Sequence, residues 1–533
     1  MRGEQKFLLE NVISGGKEYK AYRMPFQNLY ETLEETSKHF PRKVGIIDAK
    51  GQITYSALRQ RTDALAAYLH HNVGVVRGSR VAMMMVNSID FCVVLYAVLK
   101  LGATVVSVNT KCSREEIRFV LNHSQASHLI LDERWCGRVE SVLPNTSVKY
   151  VLISGESDLH PTLDQAVTEG SCLSIPPTVL DDALPAVIMY TSGTTGRSKG
   201  ASMTHFNLLQ GMYAYALADD MDDTERTVLA VPAFHITGLN CIITLFIFLG
   251  GLMVMEPFFD PVEALDLMTK YQITHFHAVA TVFIMLESAM LDRHDLSTLR
   301  TALCGGGFIS RETVRRFCTK APKCHFHPVY GMTETSGAGT YFPEHCLTSR
   351  VENSCGKVED NCSIKIVDAN EQEVSVGVSG EICFKGAFII DSYLHGEGNE
   401  NIVNGWLHSG DVGYFDEEGY LYIKDRIKDM INRGGEKVFS LPVEDAIMEF
   451  GSIKQTAVFA VDDSLYGEVP GAVIIPKLGE TVDLAELRRF LRDRLAHYKV
   501  PVYMELRDQV PSTANGKPQK FQLRKEFNEK YAK

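Results

Sequence analysis

Tyr190-Thr-Ser-Gly-Thr-Thr-Gly-Arg-Ser-Lys-Gly200 decides how the rest of the chain is read. It follows an apolar run at 186–189 that reads as a strand, and its five small hydroxyl residues and three glycines disfavour both helix and strand. Glycine lets backbone N–H groups converge on an anion with no Cβ in the way, and hydroxyls supply further donors. Lys199 adds a full positive charge. Thr191, Ser192, Gly193, Thr194, Thr195, Gly196 and Lys199 therefore read as a polyphosphate cradle. A plain surface linker seldom has such ordered spacing behind a buried strand. A Walker A loop fails on spacing, because Gly193 and Gly196 are too close together and Gly200 follows the lysine.

Outward from this loop, short β-branched runs alternate with helical periodicity. Residues 81–86 read as a strand, 88–101 as a helix stopped at Gly102, 104–108 as a strand and 128–131 as another. Ser113 with Glu116 forms a capping box ahead of Ile117, Val120 and Leu121. Strand–helix–strand repetition predicts an α/β fold, with parallel-rich sheets layered by helices. The last hundred or so residues change rhythm: strands at 457–461, 472–475 and 502–506 and an amphipathic helix at 484–496 predict a small α+β module. The junction is placed in the charged stretch 419–429, giving domains 1–427 and 428–533.

At 533 residues the chain exceeds one hydrophobic core, and its 45% apolar and 23% charged composition is that of a globular protein. A net charge of −12 excludes broad binding to nucleic acid or anionic membrane, without bearing on a local nucleotide site. The polar start Met1-Arg-Gly-Glu-Gln-Lys6 carries no signal-peptide pattern, and twelve scattered cysteines read as reduced cytoplasmic thiols. Residues 227–255 lack any Asp, Glu, Lys or Arg. Pro232, Gly238 and Gly250-Gly251 cut them into pieces shorter than a membrane span, so a buried helix followed by a buried strand is expected.

The 190–200 loop resembles the phosphate-binding signature of the adenylate-forming superfamily, with Ser198 where proline is usual. Further motifs follow in the family's order: Val231-Pro-Ala-Phe-His-Ile-Thr-Gly238, Ala302-Leu-Cys-Gly-Gly-Gly-Phe308, Tyr330-Gly-Met-Thr-Glu-Thr335, Gly405-Trp-Leu-His-Ser-Gly-Asp411, Asp425-Arg-Ile-Lys-Asp429 and Pro511-Ser-Thr-Ala-Asn-Gly-Lys517. The set is similar to the acyl-CoA synthetase branch. The resemblance implies that His235 lines the acyl pocket and that Gly305, Gly306 and Gly307 flank the adenine and acyl sites. Tyr330 and Gly331 then face adenine, Thr333 the α-phosphate, and Glu334 holds Mg²⁺. Asp411 accepts from the ribose hydroxyls, Arg426 reaches the ribose or phosphate, Lys428 is the hinge of a mobile C-terminal module, and Lys517 is the catalytic lysine. Asp425 stands where glycine is more common.

The implied reaction is ATP-dependent activation of a small-molecule carboxylic acid to an acyl-adenylate, then transfer to coenzyme A. Ile431-Asn-Arg-Gly-Gly-Glu-Lys-Val438 resembles the segment that meets the pantetheine arm, through Gly434 and Gly435, with Lys437 replacing a common asparagine. Loading of a carrier protein is the alternative; the lack of a fused carrier-like domain mildly favours coenzyme A. A homodimer is allowed. Thr237, Gly238, Phe283, Gly305, Gly307 and Gly337 are acyl-pocket positions by resemblance, and several are small, which suits a medium aliphatic, aromatic or betaine-like acid. A zinc site at Cys318, Cys324, His325 and His327 is disfavoured by its spacing. A non-catalytic nucleotide binder is disfavoured by the intact Lys199, Glu334, Asp411, Arg426 and Lys517.

Overall fold

The structure is a computed structural model describing residues 7–174, 181–192, 198–290, 293–307, 309–512 and 518–531. The chain forms two compact units. The first comprises 1–306, 313–364 and 384–407, and the second 307–312, 365–383 and 408–533. By compactness, residues 408–427 therefore belong with the C-terminal part, upstream of the sequence boundary at 428.

Three larger sheets organise the first unit, in addition to the two-stranded pairing of Leu9–Ser14 with Lys17–Tyr22. A six-stranded sheet runs in the order Ser198–Thr204, Pro185–Ser192, Thr104–Ser107, Arg80–Met84, His128–Asp132, Tyr150–Ser154. All its pairs are parallel except the first two strands, an antiparallel hairpin. A four-stranded sheet orders Arg226–Leu229, Leu252–Met255, Val44–Asp48 and Gly51–Thr54. In the third, His275–Val279, Thr301–Gly305 and His325–Gly331 are parallel, and Gly339–Tyr341 turns back antiparallel. Parallel strands need covered faces. The helix Ile89–Lys100 supplies such cover: Ser88 caps its first turn, and every residue from Ile89 to Leu99 is buried. The capping box at Ser113 is present, on the helix Arg114–His123.

The uncharged stretch 227–255 is interior. Ile236–Gly238 leads into a π-helical segment, Leu239–Thr244, then the helix Leu245–Leu249 and the strand Leu252–Met255. Gly250, at φ 80°, makes the left-handed stop that glycine accepts without strain. Among the described residues no helix is long and apolar enough to cross a membrane. All twelve cysteines are free thiols.

The second unit contains the antiparallel pairing of 411–415 with 421–426 and a mixed sheet built on the long hairpin Ile453–Asp463 and Gly467–Pro476. Tyr503–Leu506 joins that sheet in parallel. Helices Ser440–Met448 and Leu484–Arg492 bury Val443, Ile447, Leu487 and Leu491 in a core with Val458 and Ile474, while Leu523 and Phe527 of Lys520–Tyr531 pack with Phe459 and Val473. The expected α+β module is present.

Candidate active site

The phosphate loop is narrower than its composition implies. Strand pairing continues through Thr191 and Ser192 and resumes at Ser198, with Lys199 opposite Thr191 and Ser198 opposite Ser192. Hydroxyl residues therefore tolerate strand geometry here, at both described ends of the motif. Gly193, Thr194, Thr195 and Gly196, and the side chain of Ser192, lie outside the described residues, as does Lys517.

The hairpin brings its two ends against carboxylates from distant segments. The Thr191 hydroxyl donates to Glu334 Oε1 at 2.9 Å. The Tyr393 hydroxyl donates to the same oxygen at 3.1 Å. Burial and the adjoining Glu334 charge raise the Tyr393 phenol well above its ordinary pKa, which keeps it a donor. Glu334 sits on the short turn Thr333–Thr335, and its carbonyl accepts from the Ile390 amide at 2.9 Å. Ser336 ends that turn in the left-handed region (φ 53°), and the buried Asn240 amide clamps the Ser336 carbonyl at 2.9 Å. The carboxylate is thus aimed from both sides of its turn.

Lys199 is 7% exposed, and its Nζ lies 2.7 Å from Glu400 Oε1. This hydrogen bond holds the Glu400 carboxyl below its ordinary range. The other Glu400 oxygen accepts from the Gly398 amide at 3.0 Å. Gly398 has φ 118°, and a Cβ there would stand 2.9 Å from both the Lys199 stem and the Tyr393 ring. Only glycine allows that approach. Tyr393, Gly398 and Glu400 carry no sequence motif and escape a reading by motif; an aromatic followed by Glu397 and Glu400 is the sole local hint.

Other expected positions divide clearly. His235 occupies the N-cap position of Ile236–Gly238, with its ring 4.7 Å from that of the buried Phe234. Gly238 is fixed by packing, since a Cβ there would fall 2.3 Å from the Pro232 carbonyl. Gly337, at φ 90°, would drive a Cβ to 2.5 Å from Cys241 Sγ. Phe283 belongs to the core: it is fully buried, with Phe276, Phe317 and Phe326 ring centroids at 4.9–5.5 Å. Gly305 ends its strand with Val329 against it, whereas Gly306 and Gly307 are exposed. Tyr330 is 8% exposed with its ring 5.5 Å from Phe384, and Gly331 pairs with Gly339. Thr333 is half-buried.

In the second unit, Asp411 and Arg426 are cross-strand partners, with Arg426 Nε 3.2 Å from Asp411 Oδ1. Asp411 is buried and Arg426 exposed. Lys428 follows on an exposed turn, in which the Asp429 and Met430 amides both donate to the Arg426 carbonyl at 3.0 Å. Asp425 is buried, accepting from the Ser440 amide and, at 2.9 Å, from its hydroxyl. Gly434 and Gly435 form a two-residue hairpin turn, both at positive φ (60° and 95°), joining Ile431–Arg433 to Glu436–Val438. Cys318, Cys324, His325 and His327 do not converge as metal ligands; among the described residues the one such grouping is Glu381, Cys383 and His408.

The cluster in the first unit holds a buried lysine paired with Glu400 and a second carboxylate, Glu334, that accepts from two hydroxyls. Oxygen donors of this kind suit a hard cation such as Mg²⁺, and Lys199 suits phosphate. Comparison with known proteins agrees with that chemistry. The family of AMP-binding enzymes matches residues 33–394, and the AMP-binding enzyme C-terminal domain matches 442–517. The long-chain-fatty-acid–CoA ligase of Bacillus subtilis (strain 168) is 32% identical over 95% of this chain and 96% of its own. The feruloyl-CoA synthase of an Amycolatopsis species is 32% identical over 89% of this chain and 94% of its own. Among solved structures, the O-succinylbenzoate coenzyme A synthetase of Bacillus subtilis, in complex with ATP and magnesium ion, is 27% identical with a TM-score of 0.81, over 92% of this chain and 98% of that one. The chain belongs to the AMP-binding enzyme family, in the acid–CoA ligase branch of the adenylate-forming superfamily.

Proposed function

We propose that the chain activates a carboxylic acid with ATP as an acyl-adenylate and transfers the acyl group to coenzyme A. The observation that carries this reading is the convergence of Thr191 and Tyr393 on one oxygen of Glu334, beside the buried Lys199. A carboxylate resists thiol attack because oxide is a poor leaving group. Bonding it to AMP supplies a good one: the acid's oxygen attacks the α-phosphorus, and pyrophosphate departs.

Lys199 then exchanges Glu400 for phosphate oxygens and balances their charge, with Thr191 as a hydroxyl donor. Glu334 would hold Mg²⁺, which when bound supplies charge neutralisation at the phosphates. Lys517 is assigned the acid and the α-phosphate. Tyr330 and Gly331 are assigned adenine, Thr333 the α-phosphate, and Asp411 and Arg426 the ribose. His235 and Thr237 are assigned the acyl group. In the second half-reaction the thiol sulfur attacks the acyl carbon and AMP leaves; Lys428 is assigned the hinge between the two steps, and Gly434 and Gly435 the pantetheine arm. A cytoplasmic setting fits the twelve free thiols.

The test is ATP–pyrophosphate exchange across a library of acids, each hit repeated with coenzyme A and thioester measured directly. Acid-dependent exchange followed by acyl-CoA formation is expected. Exchange with no acyl-CoA would redirect the second step to a carrier protein, and no exchange with any acid would overturn the reading.

A further inference from the structure

A second cluster of chemistry-bearing side chains lies within the second unit. Glu381 and Cys383 are two apart on the strand Gly380–Gly386, so they project to one face. His408 meets them from the strand Trp406–Phe415. Its Nδ1 is 2.9 Å from Glu381 Oε2 and 3.5 Å from Cys383 Sγ. One ligand atom from each residue falls within 4.8 Å of the others. Cys383 is fully buried and the His408 side chain is 10% exposed.

Protons satisfy this arrangement only in part. If Nδ1 donates to Glu381 it has no lone pair for the Cys383 thiol, which is left the Glu381 carbonyl at 3.9 Å; if it accepts from the thiol, Glu381 Oε2 loses its donor. The other ring nitrogen, Nε2, is buried and makes no hydrogen bond, with Glu371 Oε2 3.3 Å away. A metal ion on Nδ1 resolves both conflicts. Zinc–sulfur and zinc–nitrogen bonds of about 2.3 and 2.0 Å at a tetrahedral angle hold S and N about 3.5 Å apart, which is the Cys383–His408 separation observed. Metal on Nδ1 leaves the ring proton on Nε2, directed at Glu371, the carboxylate–histidine–metal relay that fixes a ligating imidazole.

We propose that Glu381, Cys383 and His408 form a site for a thiophilic divalent cation of the zinc class, with Glu371 orienting the imidazole and the fourth position open to water. On binding, the Cys383 thiol gives its proton to solvent as the sulfur–metal bond forms, so charge and atoms balance. Burial and the Glu381 and Glu371 charges push that thiol up to about 12, with Lys365 opposing, so a metal-free site holds it neutral. Glu381 Oε1 also accepts from the Gly410 amide at 3.0 Å, so the ion would brace the turn leading into Asp411. This site is separate from the Glu334 carboxylate and does not depend on the proposed reaction.

The test is titration of the chelator-stripped full chain with Co²⁺ alone, followed by Zn²⁺ competition. One equivalent bound, with a thiolate-to-cobalt charge-transfer band that Zn²⁺ removes, is expected. The band should vanish in Cys383→Ser and persist in Cys318→Ser, with folding checked by circular dichroism. Glu371 is over half exposed, so Glu371→Gln should fold normally and weaken Co²⁺ binding about 10-fold. No uptake, a band that survives Cys383→Ser, or unchanged affinity in Glu371→Gln would overturn the proposal.

Discussion

Thr191 and Glu334 stand 143 residues apart in the chain and 2.9 Å apart in space, and Tyr393 completes the contact from the far side of the same oxygen. The carboxylate is thereby oriented before any nucleotide arrives, which is how an electrostatic catalyst avoids reorganising at the moment of reaction. Glu334→Gln keeps an oxygen for both hydroxyls but removes the charge. Its acid-dependent ATP–pyrophosphate exchange should fall by about 10²–10³-fold, with the melting temperature little changed. A parallel loss of cooperative unfolding would instead mark Glu334 as structural.

Lys199 is held by Glu400, whose side chain is 63% exposed. Phosphate must displace that carboxylate, and a pair so open to solvent contributes at most about 1 kcal/mol. Glu400→Gln should therefore lower KM for ATP by no more than about fivefold, whereas Lys199→Met should reduce kcat/KM for ATP about 100-fold or more. A rise in KM for Glu400→Gln would show that the carboxylate assists nucleotide binding.

The turn after Arg426 draws its hydrogen bonds from Ile427, Asp429 and Met430. Proline at 428 removes an amide that is not among these donors, but it fixes φ there and restricts Ile427. Lys428→Pro should keep acid-dependent pyrophosphate exchange within about threefold while thioester formation is lost, because a hinge must change φ and ψ between the steps. Measuring the half-reactions separately decides it; equal loss of both defeats the hinge assignment.

Asp219 carries a pH signature. Burial pushes its carboxyl up to about 7, although the Thr301 and Tyr341 hydroxyls donate to it. Between the ordinary carboxylate value of 3.8 and about 7, the folded chain holds a proton there that the unfolded chain has released. The contribution to stability is complete below that window and is lost as pH rises through about 7. Asp219→Asn removes the titration and places an amide near His275, whose Nε2 lies 3.6 Å from Asp219 Oδ2. Denaturant melts should find the variant more stable than the parent at pH 8, with the gain shrinking toward pH 5. A pH-independent difference would contradict the linkage.

The strand ahead of the phosphate loop, those at 81–86, 104–108 and 128–131, and the buried helix Ile89–Lys100 were legible because period-2 and period-3.6 patterning is local. The strand Ser198–Thr204 that pairs back was not, since its hydroxyls and glycine read as loop. Thr191, Lys199 and Glu334 were legible because each sits in an ordered motif. Tyr393 and Glu400 were not, since their value comes from an isolated bridge between Ala201 and Tyr393 that no local spacing encodes. Phe283 illustrates the opposite error. A resemblance placed it on the acyl pocket, but its ring is enclosed by three phenylalanines brought in by two strands and another helix. The glycines misled in a third way. Gly238 and Gly337 are small because a carbonyl and a sulfur occupy the space a Cβ would need, so their size says nothing about room for substrate.

The π-helical turn at Leu239–Thr244 has a consequence for how the site can change. Each α-helical residue advances the chain by about 100°, and a π-helical turn accommodates an extra residue within otherwise α-helical geometry. Losing one codon between 239 and 244 would let the segment relax to α geometry. His235 and Thr237 would then keep nearly their present phase relative to Leu245–Leu249, because the π turn had absorbed the extra residue. A point substitution alters what one side chain offers an acid. A single deletion here would instead close the π turn and narrow the helix behind His235 and Thr237, the residues proposed for the acyl group, while leaving both in the chain.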